Sequence, residues 1–174
     1  MRNALDLLYR ASGGIAATFL ALIAVTILAQ VGGRVIGVTV DSTESGGFCL
    51  AGTTFMGMAY TFKSGGHIRV TLLLARLGPS MARILDILVC GFAAFGCTFL
   101  TWEVLGMTHD SWRFGELSPG LLAIPVWIPQ CFMLGGMAIL AIALIDDFIL
   151  LLRGRLPGFD APQEAALDAT ELTE

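Results

Sequence analysis

Long uncharged runs separated by short polar stretches dominate this chain. Ala11–Gly33, Ser45–Phe62 and Leu117–Ile145 contain no Asp, Glu, Lys or Arg. A shorter run, Ile87–Trp102, lies inside an apolar stretch whose nearest charges are Asp86 and Glu103. A bilayer core about 30 Å thick is crossed by about 20 residues at about 1.5 Å each. The pattern therefore predicts an all-α integral membrane protein with four transmembrane helices, at about 12–33, 45–63, 84–107 and 121–146. The second is short and rich in glycine. The division that follows is a four-helix membrane domain over 1–152 and an acidic tail over 153–174.

Composition agrees: 56% of the 174 residues are apolar and 14% are charged. Soluble domains carry about 25% charge. The net charge of −4 does not mark a ligand, because five of the 14 acidic residues lie beyond Arg155. No basic field suited to nucleic acid is present. The first apolar run, 23 residues long, exceeds the roughly 7–15 of a signal-peptide core, so it is expected to remain as the first span.

Basic residues set the orientation. Arg2, Arg10, Lys63, Arg69, Arg76, Arg83, Arg153 and Arg155 fall on one side of a four-span layout, and only Arg34 and Arg113 on the other. Short basic loops stay in the cytoplasm, so both termini are predicted inside. Trp102, Trp112 and Trp127 then mark the outer interface, and Tyr9 and Tyr60 the inner one, where amphipathic rings are favoured.

Two connectors stand out. The third, LSPGLLAIPVWIPQ, holds Pro119, Pro125 and Pro129. Residues 109–120 are expected to be irregular, with a last span beginning near Leu121 and kinked at Pro125 and Pro129. The second, SGGHIRVTLLLARLGPS, mixes basic residues with leucine. Arg69 and Arg76 are seven apart and share a face if helical, which suits a cytoplasmic amphipathic segment lying in the interface. Lys63, His67, Arg69 and Arg76 are candidate contacts to lipid headgroups.

Candidate chemistry is sparse. No ionisable residue falls near the middle of a proposed span, where carriers place coupling groups. The four cysteines fall within spans and form no C-x-x-C, unlike a thiol–quinone oxidoreductase; they are expected to act as small apolar groups. His67 and His109 fall on opposite sides and cannot share a haem. No metal or cofactor site is read in this chain. Residues recurring every four positions in the first span (Gly13, Ala17, Ala21, Val25, Ala29, Gly33), nearly all small, suggest a close-packing ridge, either within the bundle or facing a partner. A stand-alone four-helix carrier and a membrane redox protein are the alternatives to a supporting subunit.

Several stretches resemble the small membrane subunit, the DctQ-like family, of tripartite ATP-independent periplasmic (TRAP) transporters. They are Arg34 in QVGGRVIG, Glu44 in DSTESGGF, the Gly-His-Ile-x-Val run followed by leucines, and the prolines of IPVWIP. The likeness covers about residues 15–150, and Thr71 stands where the family often has an acid. The resemblance implies a sodium-coupled secondary transporter for organic acids in the bacterial inner membrane. A larger membrane subunit would carry sodium and substrate, and a periplasmic solute-binding protein would deliver the solute. This chain would brace the large subunit. Arg34, Asp41, Glu44, Asp110, Arg113 and Glu116 are the candidate docking or interface residues on the outer side.

Overall fold

In a computed structural model, residues 2–38, 42–64, 79–120 and 122–154 are described. They form four helices: α1 (Arg2–Val35), α2 (Thr43–Lys63), α3 (Pro79–Phe114) and α4 (Trp127–Leu152). Three of them, over Leu5–Val35, Met81–Phe114 and Trp127–Leu152, are long and apolar enough to cross a membrane. The shorter, glycine-rich α2 does not meet that measure. The interfacial segment expected between α2 and α3, with His67, Arg69 and Arg76, lies outside the described residues, as do Asp41 and the tail from residue 155.

Neighbours in space are not all neighbours in sequence. α1 packs on α2, α2 on α4, and α4 on α3, with a light contact of α1 on α4. The order across the molecule is therefore α1–α2–α4–α3. Fifteen residues separate Lys63 from Pro79, enough chain for α3 to settle on the far side of α4. Helices α2 and α4 run parallel; each flanking helix runs antiparallel to its neighbour.

The buried positions follow alternating steps of three and four. On α1 they include Tyr9, Ser12, Ala16 and, half-buried, Phe19, Ile23 and Gln30. On α3 they are Cys90, Ala94, Cys97, Thr108 and Ser111, with half-buried Thr101 and Val104 between. This stripe stays on one face, whereas a strict step of four drifts about 40° each time. Because of that drift only the two ends of the expected ridge on α1 meet the packed face: Gly13 touches Tyr60 and Gly33 is buried, whereas Ala17, Ala21, Val25 and Ala29 are exposed.

Close approach comes from small residues at the contacts. Gly52 lies against the Phe19 ring and Gly57 against Ala16. At Gly136, an added Cβ would strike the backbone of Phe55 and Met56, so only glycine lets α2 and α4 approach there. The Cys90 and Cys97 thiols are directed at the Leu144 and Met137 carbonyls of α4, at 3.6 and 3.7 Å. Both are buried and free, as expected for small apolar groups.

Helix ends differ from the sequence expectation around the connector between α3 and α4. Helix α3 continues to Phe114, so 109–114 are helical. It stops at Gly115, in the left-handed region at φ 64°, with Gly115 N–H on Trp112 O and Glu116 N–H on Ser111 O. This paired closure is the glycine stop that commonly ends helices, and α1 ends the same way at Gly37. Helix α4 begins at Trp127, not near Leu121. Pro125 precedes it and Pro129 sits in its first turn, where the missing N–H has no helical acceptor to lose, so neither proline kinks the helix.

Candidate functional site

Two polar nodes stand at opposite ends of the α2–α4 pair. At the end where α2 finishes, the Lys63 ammonium donates to Asp147 Oδ1 at 2.6 Å and lies 3.5 Å from Asp146 Oδ2. Asp147 is fully buried and the Lys63 side chain is 15% exposed. Tyr9 of α1 covers the pair, its ring centroid 5.5 Å from the ammonium. Ser12 is buried beside it, its hydroxyl donating to Tyr9 O at 2.8 Å. Leu5, Met58 and Phe62 pack around this joint. Three helices are thus tied at one end by a desolvated ion pair.

The position of the pair matters. Asp147 stands about 11 Å from the middle of α4 along its axis, against a half-thickness of about 15 Å for the bilayer core. A lone carboxylate there would be costly; paired with lysine it holds. Lys63, expected at the headgroups, turns inward instead. Tyr9, expected as an interfacial anchor, is 4% exposed because its ring closes the ion pair from α1. Tyr60 is half exposed, consistent with an interfacial position.

At the other end, the loop between α3 and α4 folds back as a small hairpin. Leu117 and Pro125 form an antiparallel bridge, Ser118 N–H donates to Ile124 O, and Val126 N–H to Glu116 O. Glu44, in the first turn of α2, reaches across to this loop. Its Oε2 accepts the Leu122 N–H at 3.0 Å and its carboxylate packs on Gly120. The Ser111 hydroxyl donates to Glu116 Oε2 at 2.8 Å, and that of Ser42 to Gln30 Oε1 at 2.6 Å.

The candidate outer residues therefore divide. Glu44 and Glu116 bind the chain to itself. Arg34, Asp110 and Arg113 are exposed: Asp110 lies 3.7 Å from His109, and Arg113 sits over the Phe114 ring. The Lys63–Asp147 pair was missed by sequence reasoning. Its signal was an acidic dipeptide inside an otherwise apolar last helix, with a lysine closing another helix on the same side. Among the described residues, no group of His, Cys, Asp and Glu is arranged to hold a metal ion.

Long apolar helices, a seam sealed by an ion pair and, among the described residues, no charged side chain near the middle of a helix define a helical membrane component. Residues 23–154 match the family described as tripartite ATP-independent periplasmic transporters, DctQ component. The match spans most of the chain, and the protein belongs to that family; it is a TRAP transporter component. Neither the comparison with curated proteins nor that with solved structures gave a match.

Proposed function

We propose that this chain is the small membrane subunit that braces the large, transporting subunit of a sodium-coupled TRAP carrier for organic acids in the bacterial inner membrane. The family match carries this reading. Supporting it, the described charges avoid the middle of the helices, and the ion pair is spent on holding α1, α2 and α4 together. Sodium and substrate belong, in this reading, to the large subunit. Helix α2, flanked by α1 and α4, also crosses the membrane as the second of four spans in this reading, and both termini face the cytoplasm. The segment with His67, Arg69 and Arg76 lies at the inner headgroups. Arg34, Asp110 and Arg113, exposed at the outer ends of α1 and α3, form the face nearest a periplasmic binding protein.

The test is a mild-detergent purification of the tagged chain from its native membranes, with mass spectrometry of what accompanies it. Recovery of a much larger polytopic protein in stoichiometric amount is expected. Recovery of the folded chain alone would contradict the assignment. For the docking face, Asp110→Lys with Arg113→Glu should lower uptake while leaving the membrane complex intact; unchanged uptake would remove those residues from the docking surface.

A further inference from the structure

Helices α1 and α2 enclose an open groove with a volume of 390 Å³, lined by Gly13, Ala17 and Leu20 on one side and Thr54, Gly57 and Tyr60 on the other. Its walls are apolar despite the threonines. Thr53, Thr54 and Thr61 donate to the carbonyls of Cys49, Leu50 and Gly57 within α2, at 2.9, 2.9 and 3.0 Å. No threonine proton is left to recruit a polar ligand. Spread over the roughly 10 Å of helix from Gly13 to Leu20, the 390 Å³ gives a cross-section on the order of 40 Å². That admits an extended hydrocarbon chain; a helix about 10 Å across would ride on the rim.

Beyond the end of the groove nearest the start of α1, within two turns of Gly13, stand two opposite charges. Asp6 is seven residues before Gly13, and Arg10 seven before Ala17. A spacing of seven returns to the same face about 10 Å further along. Both side chains are exposed. Although four apart in sequence, neither makes an ion pair among the described residues. Tyr60, lining the same end, is 47% exposed.

The geometry points to a binding site for one zwitterionic aminophospholipid, in the leaflet on the side where α1 begins. One acyl chain lies along Gly13, Ala17 and Gly57. The phosphate meets the Arg10 guanidinium and the ammonium meets the Asp6 carboxylate. Charge-matching selects the amine headgroup over an anionic one, because Asp6 repels the latter. The site needs only that the chain lies in a membrane, and stands apart from the subunit assignment.

Two measurements test it. First, native mass spectrometry of the full chain, extracted in mild detergent and supplemented with phosphatidylethanolamine or phosphatidylglycerol, reads retained lipid. One phosphatidylethanolamine per chain is expected. Ala17→Phe, which fills the groove from an exposed position, should abolish retention. Asp6→Asn should lower the preference for phosphatidylethanolamine roughly ten-fold, the scale of one lost charge-assisted contact. No retention, or equal retention of both lipids by the unmodified chain, would overturn the proposal. Second, a photoreactive side chain at position 17 in native membranes should yield a lipid adduct. A protein adduct would show that a partner helix holds the groove, and would overturn it too.

Discussion

The central pair of helices, α2 and α4, and the two flanking ones, α1 and α3, solve different problems. The most apolar 18-residue stretches of α1 and α4 have equal mean hydropathy. Yet α4 is buried on two faces, toward α2 through Gly136, Ala143 and Asp147 and toward α3 through Met137 and Leu144. α1 shows most of its surface, with Leu7, Leu20, Leu28 and Val35 all more than half exposed. α3 likewise presents Leu88, Phe92, Phe95, Phe99 and Trp102 outward, opposite its buried stripe. In lipid, apolarity does not decide which helix is central, because lipid tails are as apolar as leucine. Small residues and satisfied polar groups decide it. The α2–α4 seam has both: glycine against backbone, and lysine on aspartate.

That contrast yields predictions of decreasing size. The largest effect is expected at Gly136. Gly136→Ala places a methyl into the Phe55 backbone and should cost about 3 kcal/mol or more. Thermal unfolding followed by size-exclusion fluorescence in detergent should show little folded protein; near-unchanged melting would mean that α2 and α4 do not touch as described.

Breaking the ion pair comes next. Lys63→Met or Asp147→Asn alone should each destabilise by about 3–5 kcal/mol at most, since a buried polar or charged group is left behind. Replacing both, as Lys63→Met with Asp147→Leu, should recover most of that loss. A double variant as unstable as the sum of the singles would show that the two residues act independently.

A smaller, local effect is expected at the Glu44 node. Glu44→Ala removes the acceptor of the Leu122 N–H and should cost about 1–3 kcal/mol. It should also speed hydrogen exchange in residues 116–126 while leaving the Lys63–Asp147 ends of α2 and α4 protected. Uniform acceleration throughout would contradict a local anchor.

The smallest effects belong to the outer faces. Leu28→Ala on α1 and Phe95→Leu on α3 should change the melting of the isolated chain by only about 0.5 kcal/mol. Repeating both in the purified complex sharpens the comparison, since loss of the complex from one variant alone assigns the partner-facing flank.

Much of the helical layout was legible in the charge-free runs, because the cost of burying charge in lipid is large. The lateral order was not. Consecutive helices usually neighbour one another, yet α2 and α3 are separated by α4, and nothing in either helix alone announces this. The glycine at 115 was a readable stop, hidden behind prolines that suggested an earlier break. Pro129 looked like a kink because its helix was started six residues too soon. Lys63 looked like a loop cation because its counter-charge is 84 positions away; long-range pairing leaves no local trace. The small-residue ridge on α1 was drawn at a period of four, and packing selects alternating threes and fours.

The row of helices leaves two exposed flanks, on α1 and α3, and these are the surfaces that the proposed bracing role would use. Disulfide trapping in native membranes tests that row most directly, in a background whose four natural cysteines are replaced. A cysteine pair at Met56 and Gly135, residues that face each other across α2 and α4 with Met56 Cε 3.4 Å from the glycine's Cβ position, should cross-link. A series pairing exposed or half-buried positions of α2 with those of α3 should not. Efficient α2–α3 cross-links with none between α2 and α4 would mean that the helices follow one another in sequence order around a closed bundle, and the α1–α2–α4–α3 row would be wrong.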